Sequence, residues 1–234
     1  MNKNIWIYWN NGFENAPELV KDCLRSWKHY NLSFKVNELN DDNLNSYVSD
    51  IERPKSIQAW SDVLRINILK EHGGLWIDAT VLCNKPLEEW IEPHIEKGFF
   101  AFSDPQPSYK ICSWFLYGDK DSRIIKEWHK EVTEYWKNRS KAHHYFWFHS
   151  LFNELYEKDL DFKSTWDNTK KYKANFKPEA ISGSNPHYFA PYTPGKLSNL
   201  SDEKLTAPVY KLRHGSSELI SENKIYQKLI RGIL

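Results

Sequence analysis

Ser61-Asp-Val-Leu-Arg-Ile-Asn-Ile-Leu-Lys-Glu-His-Gly-Gly-Leu-Trp-Ile-Asp-Ala-Thr80 is the stretch on which the fold turns. From about Ile57 to Glu71, Trp60, Val63, Leu64, Ile68 and Leu69 recur at helical spacing and give the helix one buried side. Asp62 and Arg65 stand i, i+3 on the same helix, so they share a second, polar face. Gly73 or Gly74 supplies the left-handed residue that ends it. Leu75, Trp76 and Ile77 then make a strand with no polar alternation, the pattern of a strand covered on both sides. Asp78 stands where that strand stops. In open α/β sheets ligands sit beyond the carboxyl ends of the strands, and a carboxylate there is costly unless it meets a cation, a metal or hydrogen-bond donors. Taken singly, Asp62 with Arg65 reads as a surface pair and Asp78 as a turn cap. The Gly-Gly connector fixes their relative placement and makes one arrangement of them.

Upstream, Ile5 to Trp9 is an apolar run that ends in Asn10-Asn11-Gly12, a buried first strand delivering its end into a loop. Pro17 suits a first helical turn, and Val20, Cys23, Leu24 and Trp27 follow as an amphipathic stripe. Phe34, Val36 and Leu39 alternate as a second strand, which completes β-α-β. Downstream, the pattern predicts a helix near Leu87 to Ile95, strands over Phe99 to Ser103 and Ser113 to Tyr117, and a helix from Ser122 to Arg139. His143 to Tyr156 reads as a further helix with an aromatic side. Beyond Lys158 the chain reads as loop-rich, with a short strand from Val209 to Leu212 and then a polar loop holding His214. The expectation is one α/β domain over 1–234, with its sheet mostly parallel and flanked by helices.

Composition narrows the function classes. In 234 residues, 32 basic side chains face 31 acidic ones, so no long-range field is built to hold nucleic acid or an anionic membrane. Eleven Trp, 13 Tyr and 12 Phe serve equally for core packing and for stacking on bases or sugar rings. Cys23, Cys83 and Cys112 are widely spaced and odd in number, which argues for a reducing compartment and against a disulfide framework or structural zinc. The apolar run at the start is broken by Asn10 and Asn11, and no window approaches the roughly 18 apolar residues of a membrane span. The expectation is a cytoplasmic protein without a transmembrane segment, at most peripheral to the inner face of a membrane.

The stretch SDVLRINILKEHGGLWIDATVL resembles the central motif of the bacterial capsular polysaccharide synthesis glycosyltransferases. These are similar to the mannosyltransferases of glycosyltransferase family 32 and to the glucosylating clostridial toxins. The shared pattern is S-D-x-x-R, a helix, Gly-Gly, a short apolar strand, then Asp-x-Asp or a relaxed version of it. The opening IWIYWNNG resembles the family's first strand. The likeness is densest from Ile57 to Leu82 and thins after about Asp119. It implies a GT-A type nucleotide-sugar-binding fold, with 1–118 as the donor-binding part and 119–234 as acceptor-side helices and a C-terminal loop.

By position, the resemblance makes Trp9 the residue that stacks on the donor's base, with Asn10 beside it, Asp62 a partner of sugar hydroxyls, and Arg65 a contact of the diphosphate or sugar. Asp78 matches the first aspartate of Asp-x-Asp. Thr80 stands at the second, where its neutral hydroxyl is a weak ligand for Mn²⁺ or Mg²⁺. Metal use is thereby left open. If a metal binds, His214 is the candidate to join Asp78, with Lys211 and Ser216 as phosphate contacts. His144, Tyr145 and His149 are expected in the donor or acceptor pocket, although an amphipathic helix alone accounts for them. His143, His144 and His149 lack helical i, i+3 or i, i+4 spacing, which argues against a metal site on that helix. The implied activity is a retaining hexosyltransferase using a UDP-sugar and a polysaccharide or lipid-linked acceptor. Rival readings are a non-catalytic carbohydrate-binding module and an idle GT-A scaffold.

Overall fold

Side-chain alternation along the first strand, β1 (Asn4–Tyr8), decides what covers each face of the sheet. Ile5 and Ile7 pack into one apolar layer and Trp6 and Tyr8 into the other. The structure, a computed structural model, describes residues 1–49, 51–174, 187–188, 207–212, 227 and 230. After β1 come α1 (Glu18–Tyr30), β2 (Lys35–Leu39), α2 (Ile57–His72), β3 (Gly74–Asp78) and β4 (Val81–Cys83). There follow β5 (Phe99–Gln106), β6 (Tyr109–Gly118), α3 (Arg123–Trp136), α4 (Trp147–Lys158), α5 (Leu160–Asp167), β7 (His187–Tyr188) and β8 (Val209–Lys211).

The central sheet has the order β2-β1-β3-β6-β5. β1 pairs parallel with β2 and β3, β6 runs antiparallel to β3, and β5 runs antiparallel to β6, so β6 alone is reversed. The expected α/β architecture, with a mostly parallel sheet flanked by helices, is therefore observed. Helix α1 packs with Ile5, Ile7, Leu75 and Ile77 on one face. Helices α2 to α5 pack with Trp6, Tyr8 and Trp76 on the other.

The two glycines perform different tasks. Gly73, at φ 65°, ends α2 and returns its N–H to the Leu69 carbonyl at 2.9 Å. Gly74, at φ 101°, begins β3 so close to β1 that a Cβ would lie 2.5 Å from the Asn4 carbonyl oxygen. Since alternate side chains of β3 face opposite ways, Asp78 shares the side of Trp76, which is the side of α2.

A second sheet, β4-β8-β7, lies under α1. Trp27 Nε1 of α1 donates to the Val81 carbonyl at 2.7 Å, and Ser26 Oγ accepts from the Cys83 N–H at 2.9 Å. These bonds seat β4, and the antiparallel register Val81↔Lys211 then seats β8 on it.

Several expectations change. The helix expected at Leu87 to Ile95 is two short 3-10 turns, Leu87–Glu89 and Glu92–His94, because Pro93 lacks an N–H and disfavours helical backbone before it. The helix expected to start at His143 starts at Trp147, and the one expected to reach Arg139 ends at Trp136. Beyond Lys158 lies α5 rather than loop, capped by the Asp159 carboxylate, which accepts from the Asp161 and Phe162 N–H groups.

Candidate active site

Arg65 is the centre of the polar arrangement. Its Nη1 donates to the Ser113 carbonyl at 2.8 Å and forms an ion pair with Asp62 Oδ1 at 2.9 Å. Its Nη2 reaches Asp78 Oδ1 at 3.0 Å and Ser61 Oγ at 3.3 Å. The guanidinium lies between the Trp76 and Phe148 rings, 5.6 and 5.7 Å from their centroids, and its side chain is only 4% exposed. One helical spacing supplies Ser61, Asp62 and Arg65, and strand parity supplies Trp76 and Asp78.

Asp78 receives donors on both oxygens. Oδ1 also accepts from Trp76 Nε1 at 3.3 Å, and Oδ2 lies 3.2 Å from Lys211 Nζ. The same ammonium donates to Thr80 Oγ1, and the Leu212 N–H donates to the Thr80 carbonyl at 2.8 Å. Burial alone raises the Asp78 carboxyl, but Lys211 and Arg65 outweigh it and hold the group below its ordinary range. Burial pushes Asp62 up to about 7, with Arg65 opposing and Asp78 adding to the rise. Burial also pushes His149 down to about 3, helped by Arg65 and His144 against Asp78.

These groups line a cleft of about 520 Å³ at the carboxyl ends of β1 and β3. Trp9, Asn10, Asp62, Arg65, Asp78 and Thr80 are brought together there, with Tyr145, His149 and Lys211. His144 is not in the cleft. It sits before α4, accepting from the Phe146 N–H at 3.2 Å and 3.3 Å from Ser150 Oγ, because the helix begins at Trp147 rather than at His143. His214 and Ser216 lie outside the described residues.

The sequence reading missed Tyr8, Ile57, Gln58, Ser61 and Ser113, which also line the cleft. Ser61 was findable, one turn before Arg65 on the same face. Ser113 was not, since it meets Arg65 through a backbone carbonyl 48 residues away.

Among the described residues, the donor set fits a divalent ion poorly. Mn²⁺ and Mg²⁺ favour anionic or carbonyl oxygens, and here both Asp78 oxygens face positive or N–H groups while Thr80 is neutral and accepts from an ammonium. Among the described residues no group of three His, Cys, Asp or Glu side chains is placed to hold a metal.

Residues 1–229 match the family described as capsular polysaccharide synthesis protein. The chain belongs to that family. The chain is also similar to the O-glycosyltransferase PaGT of Phomopsis amygdali, 23% identical over 166 residues that make 60% of this chain and 40% of that one. It is 26% identical to the initiation-specific alpha-1,6-mannosyltransferase of Candida albicans over 59% of this chain and 44% of that one. The chain thus spans less than half the length of these curated relatives. Among solved structures, the PaToxG glycosyltransferase aligns with TM-score 0.46 at 16% identity over 71% of this chain and 74% of that one. A glycosyltransferase involved in glycosylation of the major capsid of PBCV-1 aligns with TM-score 0.48 at 12% identity over 100% of this chain and 99% of that one.

Proposed function

We propose that this protein is a retaining glycosyltransferase that moves a hexose from a nucleoside diphosphate donor, UDP-linked, to a hydroxyl of a polysaccharide or lipid-linked saccharide. The observation that carries this reading is the convergence of Asp62, Arg65, Asp78 and Lys211 on one cleft, with the Trp9 indole on its lining. An indole face suits a uracil ring. Carboxylates suit sugar hydroxyls, and cations suit the charge that develops on a departing diphosphate.

In the transfer, the acceptor hydroxyl oxygen bonds to the anomeric carbon while the bond from that carbon to the β-phosphate oxygen breaks. The electron pair of that bond leaves with the diphosphate, and the hydroxyl proton passes to the released phosphate. Asp62 and Asp78 orient the sugar so that attack and departure share one face. Arg65, with both terminal nitrogens committed, acts mainly by fixing those two carboxylates.

On the acceptor side, Tyr145 lines the cleft and is 74% exposed, and the adjoining stretch 137–150 carries Lys137, Arg139 and Lys141 with no Asp or Glu. A basic, aromatic stretch next to the cleft suits an acceptor presented at an anionic membrane surface. Among the described residues, no helix is long and apolar enough to cross a membrane.

Calorimetric titration with UDP, with and without Mn²⁺, tests the donor assignment. Wild type is expected to bind, and Trp9→Ala to bind about tenfold more weakly, the scale of one lost base-stacking contact. Absence of binding in both conditions would remove the UDP-donor reading.

A further inference from the structure

Thr80 and Lys211 together raise a question that the transferase reading leaves open, namely what balances the diphosphate charge. The register Val81↔Lys211 sets β8 beside the end of β3, and the Leu212 N–H bond to the Thr80 carbonyl fixes the chain on the other side of Lys211. The Lys211 backbone is therefore held where its side chain reaches Asp78 and Thr80. The ammonium lies 3.2 Å from Asp78 Oδ2 and donates to Thr80 Oγ1, so it bridges the two side chains that an Asp-x-Asp pair would offer to a divalent ion. Its side chain is 15% exposed and lines the cleft.

The chemistry of the pair is consistent on both sides. A second aspartate at position 80 would bring an anion to this ammonium, whereas the threonine hydroxyl accepts one of its protons without adding charge. An ammonium carries three protons, and Asp78 and Thr80 account for two among the described residues. Lys211 lines the cleft, so the third can face an oxygen lying there. Arg65, by contrast, is 4% exposed with its terminal nitrogens bonded to protein groups.

We propose that the Lys211 ammonium, seated on Asp78 and Thr80, binds the donor's diphosphate in place of a divalent metal ion, so that nucleoside diphosphate binding needs no metal. The inference rests on the transferase reading for its biological ligand, but the site itself is one for a diphosphate. A fixed cation at a developing negative charge stabilises it without reorganisation, and binding by protein groups alone carries no chelator sensitivity.

The test is calorimetry with two probes, UDP and inorganic diphosphate, each in EDTA and in Mn²⁺, on wild type and on Lys211→Met, which keeps the aliphatic stem. Thermal melts verify that the variant is folded. Wild type is expected to bind both probes in EDTA within about twofold of its affinity in Mn²⁺, and Lys211→Met to lose at least about tenfold for both, the scale of a charge-assisted hydrogen bond. Wild-type binding that appears only with Mn²⁺, or no binding of inorganic diphosphate in either condition, overturns the proposal. So does a folded Lys211→Met that binds inorganic diphosphate as wild type does. If Lys211→Met does not fold, Lys211→Gln takes its place under the same criteria. Wild type that binds inorganic diphosphate in EDTA but not UDP would sustain the proposal while removing the UDP donor, so the two readings fail separately.

Discussion

Asp62 and His149 line the same cleft, and burial drives both toward their neutral forms, with opposite consequences for stability. Asp62 has its folded value raised to about 7, so between its ordinary carboxylate range and 7 the folded state holds more protons, and its contribution falls as pH rises. His149 has its folded value lowered to about 3, so between about 6.5 and 3 the unfolded state holds more protons, and its contribution falls as pH falls. The variants separate the two slopes in thermal melts at pH 5 and pH 8. Relative to wild type, His149→Phe is expected to gain stability at the lower pH, and Asp62→Asn at the higher. Arg65→Ala should be worse than either, because it leaves two carboxylates without their shared cation at a cost of about 3–5 kcal/mol. A chemical-denaturation midpoint unchanged from wild type would contradict that placement.

At the scale of elements, the helix-glycine-glycine-strand unit was legible because each part has its own local cause. The apolar stripe of α2, the left-handed Gly73 and the uninterrupted Leu75-Trp76-Ile77 all act within a few residues. Gly74 was legible only as half of a pair of candidates, since its close approach to Asn4 comes from a strand 70 residues earlier. Gly74→Ala is expected to destabilise by about 1–3 kcal/mol from the backbone conformation alone, with the Asn4 contact adding to it, and urea unfolding would measure it. Helix α5 was hidden because it is short and its apolar contacts, Phe162 and Trp166, are few, although the Asp159 cap was in plain view. The cleft was legible where it is built from α2 and β3. It was opaque where β8 enters, because the pairing of Val81 with Lys211 follows from the Trp27 and Ser26 bonds that seat β4.

Across the whole molecule, near-neutral charge conceals an uneven distribution. The stretch 137–150 holds three basic residues, of which Lys137 is paired with Glu134, and no acidic one, beside exposed Tyr145 and Phe146. If this stretch meets anionic lipid, changing Lys137, Arg139 and Lys141 to Gln should sharply reduce co-sedimentation with phosphatidylglycerol vesicles, leave phosphatidylcholine vesicles unaffected, and leave UDP affinity unchanged. Equal sedimentation of wild type and variant would remove the membrane role. The pairing of β4 with β8 also carries a consequence for biosynthesis. Thr80 and Lys211 are 131 positions apart, so a ribosome finishes α2, β3 and Asp78 long before the cation that completes their surroundings. Without β8, this corner of the cleft would hold Asp62, Asp78 and Arg65 but not the Lys211 ammonium. Docking of one three-residue strand brings it. The charge of this corner is therefore completed late in synthesis, by a strand made 131 positions after the threonine it meets.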